Sequence, residues 1–99
     1  MPKVPQAELD REMPKLPGWT VRNDQITKTF AHDSFPEAIV FVNAVAHLAE
    51  LANHHPDIDI RYSNITVGLT THDEGGITHR DLALARRIEE IRRQAGVPT

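Results

Sequence analysis

Ninety-nine residues, 39% of them hydrophobic and 25% charged, suffice for one modest core, since domains typically run to about 100–150 residues. A net charge of -3, with both signs mixed along the chain, gives no basic patch for nucleic acid or an anionic membrane. Cysteine is absent, which excludes disulfides and thiolate metal sites.

Met1-Pro2-Lys3-Val4-Pro5 has no apolar signal core, and no run approaches the roughly 20 apolar residues that span a bilayer. The expectation is a cytoplasmic protein with no membrane segment, folded as a single domain over 1–99, with residues 1–5 as a flexible lead-in. A short amphipathic helix is predicted over 6–13, stopped by Pro14, and Lys15-Leu16-Pro17-Gly18 reads as a turn. Two short runs, 19–22 and 25–30, flank Asn23-Asp24, both of which tolerate positive φ, so a two-residue β-hairpin is predicted. Its alternation is imperfect, because Lys28 falls in the row of Ile26 and Phe30.

Ser34 followed by Glu37 is a capping box that satisfies orphan amides at a helix start. Phe35, Ala38, Ile39, Val42, Ala46 and Ala49 then recur at helical spacing, and Phe41, Val45 and Leu48 widen the stripe enough for two packing partners. The helix should end near 53–55, ahead of Pro56. Runs at 59–62 and 65–71, around a turn at Ser63-Asn64, alternate β-branched with polar residues and predict a second hairpin, half buried on one face. Asp73-Glu74-Gly75-Gly76 reads as a loop. The last helix starts at Thr78 with Asp81 as cap partner, presents Leu84, Ile88, Ile91 and Ala95 to the core, and stops at Gly96 and Pro98. Its arginines read as a solvated face. The order α-β-β-α-β-β-α implies an α+β two-layer domain, a four-stranded antiparallel sheet with helices on one face and polar residues on the other.

Six histidines are present, and three of them sit at element ends, where side chains can converge on a ligand without disturbing a core. His54 and His55 close the second helix, and His72 closes the last strand. Glu50, four residues before His54, shares its helix face and could fix the tautomer of that ring. His32, His47 and His79 read as surface residues. A metal site is not expected: adjacent imidazoles on a helix point about 100° apart, and no HExxH spacing occurs.

The pattern Glu50-x-x-x-His54-His55-Pro56, then five residues to Tyr62, nine to His72 and eight to Asp81, resembles the signature of the pterin-4a-carbinolamine dehydratase family. Seven positions at roughly one in twenty each would coincide by chance about once per billion windows. The resemblance extends over roughly 15–95, through Gly18-Trp19 and Arg80-Asp81. It implies that His54, His55 and His72 are the catalytic histidines. It also implies that Asn53, Thr70, Thr71 and Asp73 line the pterin, with Glu50 and Arg80 nearby. Asn53 stands where animal members carry an acidic residue, and Asp73 replaces a glutamate. Trp19, Pro56, Tyr62 and Asp81 are expected to be structural or to form the pocket rim, Asp81 chiefly as a helix cap.

The activity implied is loss of water from a 4a-hydroxytetrahydropterin by imidazole acid–base catalysis, with the pterin as substrate and no cofactor. The resemblance also implies a homodimer or homotetramer and a functional link to an aromatic amino-acid hydroxylase. Family members also act as dimerisation partners of a transcription factor in animals, and similar domains occur as assembly factors. An assembly role would not require three intact histidines, so the constellation favours catalysis.

Overall fold

The computed structural model describes residues 2–94. Its elements are α1 (Gln6–Glu12), β1 (Thr20–Arg22), β2 (Gln25–Ala31), α2 (Phe35–Ala52), β3 (Asp57–Arg61), β4 (Asn64–Leu69) and α3 (His79–Gln94). Single 3-10 turns follow α1 at Met13–Lys15 and β4 at His72–Glu74. The predicted α+β layering holds: one antiparallel sheet, in the order β1-β2-β4-β3, carries the helices on one face.

The two central strands supply the core row. Ile26 pairs with Leu69 and Phe30 with Ile65, and all four side chains are fully buried with Val67 between them. The opposite face is polar: Thr29 bonds Thr66 across the strands at 2.8 Å. Asn23 and Asp24 turn the first hairpin with φ of 51° and 62°, the left-handed pair that matches strand twist. Lys28 keeps its place in the core row and is buried, because its ammonium meets Glu89 at 2.5 Å and the Pro17 carbonyl at 2.9 Å.

The second hairpin turns one residue earlier than predicted. Arg61 pairs with Asn64, so the turn is Tyr62-Ser63, with Tyr62 at φ 52°. Either register leaves the aliphatic residues on one face, so hydrophobic alternation could not separate them. The consequence for Tyr62 is large: it is 73% exposed at the hairpin tip, neither core nor cleft wall.

Ser34 caps α2, its hydroxyl accepting from the Glu37 N–H at 3.3 Å. Ser34→Ala is expected to cost about 1 kcal/mol, read as a lower urea midpoint at an unchanged slope. The buried face of α2 is Ala38, Phe41, Val45, Leu48 and Ala49, not the stripe through Phe35 and Ala46, both of which are exposed. The two stripes overlap on a 3.6-residue period, and packing against both α3 and the sheet selects between them. By length and composition the 18 residues of α2 would suffice to cross a bilayer, contrary to the expectation that no stretch does, but part of that apolar surface is core. In α3, Leu82 and Ala85 join Leu84 and Ile88 in the core, with Ile91 partly buried. Ala95, Gly96 and Pro98 lie outside the described residues.

Within the lead-in to α1, Val4 is buried and its N–H donates to the Ile77 carbonyl at 2.9 Å. Two more readings differ from the structure. His32 reads as a surface residue but is buried, its ring 5.0 Å from Phe41 and its Nδ1 3.3 Å from the Ser63 carbonyl. The arginines of α3 are not simply solvated: Arg86 pairs with Glu12 and Arg92 with Glu89, each at 2.8 Å. His47 and His79 are exposed as expected.

Candidate active site

The end of α2 determines where its histidines go. Asn53 adopts a left-handed conformation (φ 49°), and its N–H closes the helix on the Ala49 and Glu50 carbonyls. His54 N–H also returns to the Ala49 carbonyl, at 3.1 Å. This wrap is the usual way of satisfying the last carbonyls of a helix. It carries His54 inward and leaves His55 outside.

The expected partnership of Glu50 with His54 is therefore not formed. The helix has ended before position 54, so the four-residue spacing no longer places the two side chains on one face. Glu50 instead accepts from His55 Nε2 at 2.8 Å, and both of these side chains are more than half exposed. His54 is buried and places Nε2 2.5 Å from Oδ1 of Asp81, a carboxylate with no solvent exposure.

Asp81 both caps α3 and holds His54. Its Oδ2 accepts from the Thr78 N–H at 2.8 Å and from the Thr71 hydroxyl at 2.9 Å. With the Thr71 hydrogen committed to Asp81, the 2.8 Å contact between the two threonine hydroxyls is made by Thr78 donating. Arg80 completes the frame by donating to the Asn53 carbonyl at 2.6 Å, which ties the start of α3 to the end of α2. Spacing identified Asp81 as a cap residue. Its contact with a histidine 27 positions earlier depends on tertiary structure.

His72 lies where alternation no longer applies. Strand β4 ends at Leu69, and Thr71 forms an isolated bridge with Gly76. His72 opens the 3-10 turn between them and is exposed. Thr70 is anchored by its hydroxyl, which donates to the Asp24 carbonyl at 2.8 Å.

These pieces surround one open cleft of about 230 Å³. It is lined by His54, His55 and His72, together with Asn53, Thr70, Thr71, Asp73 and Arg80. Among the residues expected at the site, Glu50 is not in the lining and reaches it only through His55. Trp19 and Tyr62 are also outside it. Trp19 is buried in the core, with Nε1 donating to Glu89 at 2.9 Å. Pro56, half-buried, does not contribute either. A larger and more apolar hollow of about 300 Å³ between α2 and α3 shares His54 and Arg80, but it holds no second titratable imidazole.

With Nε2 of His54 turned to Asp81 Oδ1, Nδ1 is the ring nitrogen left for a ligand. A buried carboxylate in that position fixes the tautomer and orientation of the ring. No group of three His, Asp or Glu side chains among the described residues is arranged to hold a metal ion. The arrangement suits proton transfer to and from a small polar molecule.

A small α+β domain with a histidine-lined cleft at the ends of a helix and a strand is the class this geometry defines. Residues 2–91 match the family described as Pterin 4 alpha carbinolamine dehydratase, and the chain belongs to that family. It is 50% identical over 91 residues to a Chloroflexus aurantiacus protein provisionally named pterin-4-alpha-carbinolamine dehydratase, covering 92% of this chain and 98% of that one. A Sulfurisphaera tokodaii protein with the same provisional name is 44% identical over 91 residues, again 92% and 98% of the two chains. Among solved structures, a transcriptional coactivator/pterin dehydratase from Brucella melitensis superposes with a TM-score of 0.86 at 31% identity, covering 90% of this chain and 97% of that one. A pterin dehydratase-like protein identified as a RuBisCO assembly factor in the alpha-carboxysome shares the fold, with a TM-score of 0.61 at 22% identity over 74% and 84% of the two chains.

Proposed function

We propose that this chain removes water from a 4a-hydroxytetrahydropterin, giving the quinonoid dihydropterin. The substrate carries a hydroxyl on C4a beside the N5 amine. The C4a–O bond breaks as the oxygen takes up a proton and leaves as water, and N5 loses its proton as the C4a=N5 double bond forms. One group must therefore give a proton while another accepts one. Imidazoles, with ordinary pKa values near ~6.5, can do both at neutral pH. General acid–base catalysis of this kind contributes about 100- to 10,000-fold.

The observation that carries the reading is the shared cleft of His54, His55 and His72, with His54 backed by the buried Asp81 carboxylate. In the proposed division of work, His54 and His72 exchange protons with the substrate and His55 orients it. Thr70, Asn53, Asp73 and Arg80 would border the heterocycle, which needs no cofactor. Tetrahydrobiopterin recycling downstream of an aromatic amino-acid hydroxylase, a cytoplasmic setting and a homodimeric or homotetrameric state belong to the same proposal.

The test is dehydration of a synthetic 4a-carbinolamine, followed as loss of its ultraviolet absorbance. A rate clearly above that in buffer is expected. An uncatalysed rate would favour the second reading, an assembly or scaffold role, for which the exposed Val40 and Leu51 of α2 offer apolar surface.

A further inference from the structure

The turn from Thr71 to Asp81 contributes Thr71, His72, Asp73 and Arg80 to the cleft and Asp81 to His54. Its inner side is held by Asp81. Its outer side is held by the segment preceding the first strand, at two points that bracket Thr78. Before Thr78, the Val4 N–H donates to the Ile77 carbonyl at 2.9 Å, and both side chains are buried in the core. After Thr78, Glu8 of α1 meets His79 Nε2 at 2.6 Å. Between these grips, Thr78 donates its N–H to Asp81 and its hydroxyl to Thr71. The aliphatic stem of Lys3 lies over Gly76, where an added Cβ would come within 2.8 Å of it. Gly76 in turn closes the His72 turn, its carbonyl accepting from the Thr71 N–H at 2.9 Å. None of Lys3, Val4 and Glu8 lines the cleft.

We propose that Val4, with Glu8 behind it, is a positioning residue for the candidate site, bracing residues 71–81 from outside the cleft so that His72 and the Asp81–His54 pair hold their relative places. The turn is a single 3-10 winding closed by one bridge, with the poorer hydrogen-bond geometry of that helix type. Displacements near 1 Å at a reacting group can cost about 100-fold in rate. A brace on the backbone of residues 77–79 limits such movement. The effect on turnover rests on the dehydratase reading; the mechanical coupling does not.

Val4→Pro removes the donated N–H, while Val4→Ala keeps it and trims the side chain. Val4→Pro should lower kcat about tenfold, with the larger change in kcat rather than KM, and should speed hydrogen exchange at the Thr71 and Gly76 amides relative to those of β4. Val4→Ala should stay close to the unmodified chain in both. Unchanged exchange at Thr71 and Gly76 in Val4→Pro, or faster exchange with unaltered turnover, would overturn the proposal. Native-state exchange on the unmodified chain decides the matter even if Val4→Pro does not fold. The Val4, Thr71 and Gly76 amides should then open together at a lower free energy than those of β4, and a Val4 amide that exchanges independently of Thr71 sinks the brace. An inactive unmodified chain would refute the dehydratase reading and leave the exchange result standing.

Discussion

Replacing His72 with alanine should lower the rate of carbinolamine dehydration by about 100-fold or more while leaving the melting temperature unchanged. The side chain is exposed on a short turn, so its removal opens no cavity and strands no buried partner. His54→Ala should lose rate to a similar degree but also lose stability. It deprives the fully buried Asp81 of one of its three donors, and an under-satisfied buried group costs about 1–3 kcal/mol. Asp81→Asn separates the two effects, because it preserves shape while removing the charge that favours one tautomer of His54. It should cost about tenfold or more in rate while costing less stability than His54→Ala. Ultraviolet assays and thermal melts on the three variants check these outcomes together. Full activity in His72→Ala would remove that ring from the mechanism, and an unaltered rate in Asp81→Asn would reduce the Asp81–His54 contact to a fold element.

Local chemistry was the legible part of this sequence. Asn23-Asp24 specify a left-handed two-residue turn, Ser34 specifies a helix start, and Pro56 limits where that helix ends. Each acts within a few residues, and the element order follows from them. What spacing could not show was which residues meet across the fold. Helical periodicity suggested Glu50 for His54, yet the left-handed Asn53 ends the helix first and gives the carboxylate to His55. Tyr62 fell into a hairpin tip because two registers of the same parity compete. His32 looked like a polar surface residue and is buried beside Phe41. Lys28 broke the strand pattern for a reason found 61 residues away. Its partner Glu89 carried no visible sign of burial. The family signature supplied the grouping of the cleft residues, and tertiary structure supplied their partners.

That distant partner leads to the second large effect. Glu89 is an acceptor for three donors: Lys28 Nζ at 2.5 Å and Trp19 Nε1 at 2.9 Å on one oxygen, and Arg92 Nε at 2.8 Å on the other. Lys28 has a second acceptor in the Pro17 carbonyl, so loss of Glu89 disturbs more than loss of Lys28 does. Breaking a buried ion pair by deleting one member costs about 3–5 kcal/mol. Glu89→Leu should fall in that range, whereas Lys28→Met, which leaves Glu89 with Arg92 and Trp19, should cost about 1–3 kcal/mol. Chemical denaturation orders the two, and equal costs would contradict the assignment of Glu89 as the hub. The pH dependence provides an independent check. Burial pushes the Glu89 carboxyl up, but the hydrogen bonds from Lys28, Arg92 and Trp19 outweigh it and hold the group below its ordinary value of 4.5. A depressed folded-state value means that the stabilisation is fully present above about pH 4.5 and is lost as the pH falls through the folded value. Glu89→Gln lacks this titration, so its stability deficit relative to the unmodified chain should be greatest near neutrality and shrink in acid. A deficit that stays constant down to low pH would mean that the carboxylate charge contributes nothing to holding Lys28 in the core.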